Sequence, residues 1–138
     1  MSYELVHKLS DEQILDLHRL YQSEWWSTGR TPAETKKVVE NSDLIFGLCQ
    51  SDTKRLIAFA RVLTDFVFKA LIFDVIVSAQ YRDKALGKAI VEAILAHPDL
   101  REVQHLELYC LPELVPFYQK WGFTDDLGKL IYMRRTRP

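Results

Sequence analysis

The chain has 138 residues and a formal net charge of −1, a size at which we expect one domain over residues 1–138 with its own hydrophobic core. Hydrophobic residues make up 48% and charged residues 27% of the chain, which excludes a disordered or fibrous protein. A near-neutral charge argues against a nucleic-acid partner. Because we find neither a membrane-spanning apolar run nor a signal peptide, we expect no membrane partner and a cytoplasmic location.

The two cysteines lie in apolar segments of the chain. Cys49 and Cys110 each fall in a predicted strand, so we expect two buried, reduced thiols rather than a disulfide. Neither has a histidine or a second cysteine at the spacing of metal ligands, and the four histidines are scattered. We therefore predict no metal site.

The N-terminal segment predicts a strand followed by a helix. Tyr3 to Leu9 alternates in polarity as a short strand does. Ser10 and Gln13 have the spacing of a capping box, in which each side chain binds a free backbone amide where a helix begins. Ile14, Leu17 and Tyr21 then continue at helical spacing.

A second helix is predicted next. Thr31, Pro32 and Glu34 supply a cap, a first-turn proline and a reciprocal cap. The helix should run to about Asn41 with Val38 facing inward.

The remainder of the chain predicts five more strands, a longer helix and a short one. The predicted strands are Leu44 to Gln50, Arg55 to Thr64, Phe68 to Val77, Val103 to Cys110 and, last in the chain, Leu130 to Arg134. The predicted helices begin near Leu86 and at Pro116. The resulting order, β-α-α-β-β-β-α-β-α-β, predicts an α/β domain with a mixed sheet and a parallel crossover between Phe68 and Cys110.

A basic loop joins the most apolar strand to the longer helix. Such a loop presents unpaired backbone amides at the positive end of a helix dipole, where phosphate oxygens bind. Ala85 and Gly87 are small enough to let a ligand approach the backbone, and Arg82, Lys84 and Lys88 add positive charge. Taken alone, the loop is also compatible with an ordinary turn whose charges are solvated.

Two motifs, in this order, resemble those of the GNAT superfamily of acetyl-CoA-dependent N-acyltransferases. The first is Q/R-x-x-G-x-G/A, here Arg82 to Gly87, and the second is a late helix with a tyrosine that ends in Gly-Phe, here Phe117 to Phe123. The order of elements matches the family from Tyr3 to Met133. The resemblance implies a GNAT-like mixed central sheet with helices on both faces. It also implies direct transfer of an acetyl group from acetyl-CoA to an amine, without a metal; family members are often homodimers.

The same resemblance implies roles for particular residues. Backbone groups of Val75, Ile76 and Val77 would bind the pantetheine arm, and Tyr118 would protonate the departing thiolate. For Tyr118 the alternative is a packed aromatic ring among its neighbours. The residues of the basic loop that would hold the pyrophosphate are Arg82, Asp83, Lys84, Ala85, Leu86, Gly87 and Lys88.

The acceptor site and the base are less well defined. Asp74 interrupts an apolar strand, so its carboxylate should be exposed to a cleft, paired or perturbed in pKa. Glu24 lies beside Trp25 and Trp26 in the connection that lines the acceptor site in the family, so it could hold the ammonium group of the acceptor. Tyr109 is a further substrate-binding candidate, and Glu107 on the same predicted strand is a further candidate for the base. Each acid is alternatively a solvated or salt-bridged structural group. For the tryptophans the alternative is one packed ring and one partly exposed ring.

The chain departs from the family pattern at several positions. Ala85 replaces the first motif glycine, which requires a φ below zero at that residue. Asp83 places a carboxylate near anionic phosphates and must point away from them. Ala79 replaces a common proline, and Leu111 and Leu114 stand where many members have N-x-x-A.

These departures keep two other functions open. The first is a non-catalytic acyl-CoA-binding or sensor domain on the same fold. The second is an interaction module that uses Glu24, Trp25 and Trp26 as an exposed hot spot.

Overall fold

The computed structural model describes residues 2–138, whose contacts divide into one compact unit that ends at Glu107 and a second, Leu108–Pro138. The prediction of a single domain stays a prediction. In the first unit the strands are β1 (Tyr3–Val6), β2 (Leu44–Gln50), β3 (Leu56–Thr64), β4 (Lys69–Val77) and β5 (His105–Glu107). Its helices are α1 (Asp11–Gln22), α2 (Pro32–Glu40) and α3 (Leu86–Ala96), and the second unit contains α4 (Val115–Gln119).

The five strands form one mixed sheet in the order β1-β2-β3-β4-β5. The pairs from β1 to β4 are antiparallel, and β4 pairs with β5 in parallel. A parallel pair needs a crossover connection, which α3 supplies here. The predicted α/β class and mixed sheet are confirmed.

Both predicted capping boxes are present, so the first two helices begin where the sequence indicates. The Ser10 and Gln13 pair caps α1, and the Thr31 and Glu34 pair caps α2. Val38, which was expected to face inward, is half-buried, as is Val39, which packs against the core.

The sheet is covered on both faces, as expected for an α/β domain. On one face, Leu17 and Tyr21 of α1 join a core cluster with Cys49 and Phe59. On the other face, α3 contacts β2, β3 and β4 and buries three of its apolar side chains completely: Leu86, Ile90 and Ile94. No helix among residues 2–138 is long and apolar enough to cross a bilayer.

The sequence overestimates the strands at the C-terminal end. The strand predicted from Val103 to Cys110 is reduced to His105–Glu107, and the segment from Leu130 to Arg134 forms no strand. Ile131, for example, is 83% exposed. An apolar stretch becomes a strand only when a neighbouring strand satisfies its backbone groups. No strand among the described residues pairs with the segment from Leu130 to Arg134.

Both cysteines are free thiols, but only one is fully buried. Cys49 is buried in the core, while Cys110 is half-buried rather than buried as predicted. Burial raises the pKa of Cys49 to about 11, which keeps the thiol protonated and unreactive at neutral pH.

Candidate functional site

β4 separates from its parallel neighbour well before it ends. Pairing with β5 involves only Lys69, Ala70 and Leu71, whereas pairing with β3 continues to Val77. The last four residues of β4 (residues 74–77) pair with no strand of the first unit on the β5-facing side, and we call this stretch the open edge. The three residues predicted to bind a pantetheine arm, Val75, Ile76 and Val77, all belong to it.

A β-bulge interrupts the pairing of β4 with β3 at Asp74. Phe59 lies opposite Ile76 and Arg61 lies opposite Phe73, so two residues of β4, Asp74 and Val75, face a single residue of β3. Asp74 adopts a left-handed backbone with φ of 57°, a conformation that aspartate tolerates better than most residues. The bulge changes the direction in which the Asp74 side chain points.

The Asp74 carboxylate is held by three side chains, and we call the four residues the Asp74 cluster. Its Oδ2 accepts hydrogen bonds from the Tyr21 hydroxyl at 2.9 Å, from Arg30 Nη1 at 2.8 Å and from Arg61 Nε at 2.7 Å. Only 7% of the Asp74 side chain is exposed. Of the three outcomes expected for this acid, the structure has two, because the carboxylate is paired and its pKa is shifted.

The pKa values in the cluster follow from these contacts. Burial alone would raise the pKa of Asp74, but hydrogen bonds from Arg30 and Arg61 lower it below its usual range. Burial, with the negative charge of Asp74, raises the pKa of Tyr21 well above its usual value. At neutral pH the cluster therefore contains a neutral phenol, one carboxylate and two guanidinium groups.

The loop after β4 leads into α3 through a strained residue. A short 3-10 turn at Ala79–Tyr81 follows the strand, and Ala85 then caps α3 without any side-chain hydrogen bond. Its φ is +59°, so the expectation of a negative φ at Ala85 is wrong. The chain reverses direction here to begin the helix, and the left-handed turn costs an alanine about 1–2 kcal/mol.

The first turn of α3 presents free backbone amides. The first amide bonded within this turn is that of Ala89, which donates to the Ala85 carbonyl at 3.2 Å. The amides of Leu86, Gly87 and Lys88 donate to no acceptor within residues 2–138. Such amides, at the positive end of a helix of 11 residues, suit a phosphate group.

Charged side chains surround these amides. Arg82 binds the Glu24 carboxylate through Nη2 at 2.6 Å, and its Nε reaches the Val77 carbonyl at 3.4 Å. Lys84 and Lys88 are exposed and form no ion pair with a described residue. The exposed Asp83 also lies on this loop.

The two predicted tryptophans differ in their surroundings. The Trp26 ring meets Tyr21 edge-on, with centroids 6.3 Å apart, and the Arg30 guanidinium lies 5.4 Å from its centroid. Trp25 is 73% exposed. One ring is therefore packed beside the Asp74 cluster and the other is open to solvent.

In the second unit, Tyr118 is surrounded by aromatic rings. Phe117 and Phe123 contact it edge-on, at centroid distances of 5.0 and 5.9 Å. Burial raises the pKa of Tyr118 to about 12, with a smaller contribution from Cys110. Its hydroxyl, which bonds to none of residues 2–138, stays protonated at neutral pH and can donate.

The remaining predicted residues are more exposed. Tyr109 is 55% exposed and its ring lies 5.1 Å from that of Tyr132. Glu107 forms an ion pair with Lys69 at 2.7 Å. Leu111 and Leu114 are 42% and 43% exposed.

A sequence model described as the acetyltransferase (GNAT) family matches residues 11–123. The chain belongs to the GNAT family. This match includes the Asp74 cluster, the loop after β4 and Tyr118.

Individual GNAT relatives agree with this assignment. An uncharacterized ycf52-like N-acetyltransferase of Prochlorococcus marinus is 35% identical over 113 residues, 80% of this chain and 62% of that protein. GCN5-related N-acetyltransferase 1, a chloroplastic protein of Arabidopsis thaliana, is 29% identical over 111 residues, 78% of this chain and 56% of that protein. The chain therefore spans less than two thirds of the length of these two relatives.

A solved structure from Xanthomonas campestris, described as belonging to the GNAT family, superposes with a TM-score of 0.85. It is 29% identical, and the superposition covers 100% of this chain and 95% of that chain. The GNAT fold thus extends over nearly the full length of both.

Sequence reasoning did not find the partners of Asp74. It placed Tyr21 on an apolar helix stripe and gave Arg30 and Arg61 no role. The available signal was the acid itself, because a carboxylate within an apolar strand requires partners. Nothing in the local sequence indicates which side chains these are.

Proposed function

We propose that this GNAT chain is an N-acetyltransferase that transfers an acetyl group from acetyl-CoA to a primary amine by direct attack in a ternary complex. The observation that carries the proposal is the continuity between the open edge of β4 and the free amides of α3. Together they offer hydrogen-bonding groups for an extended amide-containing arm, followed by a cradle for phosphates.

Different parts of the site would hold different parts of acetyl-CoA, which supplies the activated acyl thioester. Backbone groups of Val75, Ile76 and Val77 would bind the arm. The amides of Leu86, Gly87 and Lys88, with the charges of Lys84 and Lys88, would bind the phosphates. Arg82 would also contact the phosphates while it remains paired with Glu24. Asp83 and Ala85 are the other residues of the loop.

The acceptor amine must lose a proton before it attacks. At pH 7 only about one primary amine in 2,500 is neutral, which is equivalent to roughly 4.6 kcal/mol of barrier. Asp74 is a weak base because its pKa is lowered, so we propose that it positions the bulge instead. Glu24 is the better candidate to hold the amine, because its Oε2 accepts no hydrogen bond from residues 2–138.

Aromatic residues would line the proposed acceptor site and supply the proton donor. Trp25, Trp26 and Tyr109 would contact the acceptor. Tyr118 would donate its proton to the departing thiolate. Its own pKa of about 12 keeps the hydroxyl protonated, and therefore able to donate, at neutral pH. No covalent acyl-enzyme is required.

The test is release of CoA thiol from acetyl-CoA in the presence of a panel of primary amines. The Tyr118→Phe variant should lower kcat by about 10²- to 10⁴-fold, the usual contribution of a general acid, and leave the Kd for acetyl-CoA unchanged. Tyr3→Phe removes the same hydroxyl from a 41% exposed position and is the matched control. Equal kcat in the two variants would remove Tyr118 from the mechanism.

A second candidate is a non-catalytic acyl-CoA sensor on the same fold, favoured by the strain at Ala85 and the acid at Asp83. A sensor would be stabilised by about 2.7 kcal/mol at 100 times the Kd of acetyl-CoA, with no thiol release from any amine. The cytoplasmic location and the homodimer stay predictions.

A further inference from the structure

Within the Asp74 cluster itself, positive charge exceeds negative charge. Two guanidinium groups share one carboxylate, and the Tyr21 phenol is neutral. The side chains of Arg30 and Arg61 are only 28% and 15% exposed. Glu24, on the same connection as Arg30, is already paired with Arg82. The exposed Glu34 also acts on the charge of Arg30, but the two partly buried guanidinium groups share one buried carboxylate. Incompletely compensated charge is costly to bury, so the cluster is suited to a second anion.

Unused hydrogen-bond donors accompany this surplus charge. Arg61 donates to Asp74 through Nε, and its two terminal nitrogens donate to no acceptor within residues 2–138. Arg30 directs both terminal nitrogens toward Asp74, but the Nη2 contact is long, at 3.5 Å. Each guanidinium group has five N–H donors, and their planar arrangement matches the oxygens of a carboxylate or a phosphate.

The cluster lies apart from the loop that suits the donor's phosphates. Asp74 precedes the end of β4 by three residues, which corresponds to about 10 Å along a strand. The exposed Trp25 and the half-exposed Trp26 lie on the same connection as Arg30. An anion bound to the cluster would therefore belong to a second ligand.

We propose that Arg30 and Arg61 bind an anionic group of the acceptor, so that the acceptor is an amine that also carries a carboxylate or a phosphate. This inference rests on the proposed acetyl transfer and names the substrate class of that site. Arg30 and Arg61 determine specificity by binding the anionic group, while the amine of the acceptor remains free to react.

Matched amines test the proposal and distinguish its two anions. L-phenylalanine is compared with 2-phenylethylamine, which lacks only the carboxylate, and O-phosphoethanolamine with ethanolamine, which lacks the phosphate. We expect kcat/KM to be at least tenfold higher for the charged member of one pair, and that pair identifies the anion. Equal or higher kcat/KM for the uncharged member of both pairs would overturn the inference.

Variants of Arg30 link the preference to the cluster. Arg30→Gln should raise the KM for the preferred acceptor about 10- to 100-fold, as expected for the loss of a charged hydrogen bond. Arg30→Lys keeps the charge without the planar fork and should have an intermediate KM; it also serves if Arg30→Gln fails to fold. The control, Arg19→Gln, removes an arginine whose side chain is 65% exposed, and its KM should not change. An unchanged KM in the Arg30 variants would contradict the proposal.

A binding measurement separates failure of this inference from failure of the proposed function. 3-Phenylpropanoate and phenyl phosphate carry the anion without an amine, and 3-phenylpropanamide carries neither. We expect one anion to raise the melting temperature of the wild-type chain, and to raise that of Arg30→Lys by less. Stabilisation without acetylation of any amine would refute the proposed function and leave the anion site standing. Acetylation that does not depend on an anionic group would refute only the anion site. If the anions do not stabilise the chain and no amine is acetylated, both proposals are refuted.

Discussion

Asp74 and Ala85 share a left-handed backbone, with φ of 57° and 59°, but they are held in different ways. Asp74 is fixed by hydrogen bonds from Tyr21, Arg30 and Arg61. Ala85 has no polar side chain, and α3 begins after it without a side-chain cap. The strain of the bulge is therefore compensated within the chain, whereas the strain of the loop is not.

This difference separates two kinds of site within one unit. At the bulge, three side chains donate hydrogen bonds to one buried carboxylate. The loop is an open turn whose next three amides, those of Leu86, Gly87 and Lys88, have no partner among residues 2–138. Strained residues persist where the surrounding structure over-determines them or where function uses them. The bulge fits the first description, and we infer that the loop fits the second.

The largest expected effect follows removal of the charge at the bulge. Asp74→Asn keeps the shape of the side chain and tolerates a left-handed backbone, but it leaves Arg30 and Arg61 without their counter-ion. We expect a loss of about 3 kcal/mol in the free energy of unfolding, as for other broken buried ion pairs, measured by urea denaturation. Glu4→Gln, which breaks an exposed pair with Lys54, is the control and should cost less than about 1 kcal/mol. Equal losses would show that the Asp74 cluster does not support the fold.

The same cluster predicts a dependence of stability on acid. Because the hydrogen bonds of Arg30 and Arg61 outweigh burial, the pKa of Asp74 is lower in the folded chain than in the unfolded chain. Its contribution to stability is complete above the unfolded pKa of about 3.9 and is lost as the pH falls through the folded value. The difference in unfolding free energy between the wild type and Asp74→Asn should therefore narrow below pH about 4. A difference that is constant from neutral pH to acid would contradict this assignment.

Substitutions on the loop after β4 should have smaller effects, and these should be on ligand binding rather than on folding. Lys84→Gln and Lys88→Gln should each weaken binding of acetyl-CoA about threefold, and the double variant about tenfold, because exposed charges contribute less than about 1 kcal/mol each. The loss should shrink at high salt, which screens exposed charges. Isothermal titration measures the Kd, and Lys37→Gln, an exposed lysine of α2, is the control. If the control weakens binding equally, the effect is one of net charge and not of the loop.

The smallest effect concerns the uncompensated strain. Ala85→Gly removes a backbone strain of about 1–2 kcal/mol from the folded chain. It also gives the unfolded chain more conformational entropy, which lowers stability by about 0.4–1 kcal/mol. We therefore expect the free energy of unfolding to rise by about 0.5 kcal/mol. Ala89→Gly, four residues later within α3, should instead cost about 1 kcal/mol. Thermal unfolding of the two variants should thus give shifts of opposite sign. Shifts of the same sign would mean that Ala85 is not strained.

Short-range signals in the sequence were sufficient for much of the fold. The caps at Ser10 and Thr31 predicted both helix starts because a capping box involves only four neighbouring residues. The β2 strand, Leu44–Gln50, has the predicted bounds, since its apolar run is enclosed by polar residues. The order of elements and two short motifs were also enough to indicate the GNAT resemblance, together with the candidate donor loop.

Only the tertiary structure decided what the site residues contact. Arg30 and Tyr21 reach Asp74 from 44 and 53 positions away, and no local pattern specifies such a pair. The positive φ of Ala85 depends on the direction in which α3 leaves the sheet, and the segment from Leu130 to Arg134 lacks a strand partner despite its apolar character. Local chemistry determines caps and apolar periodicity, whereas charge pairing, backbone strain and strand pairing depend on residues that only folding brings together.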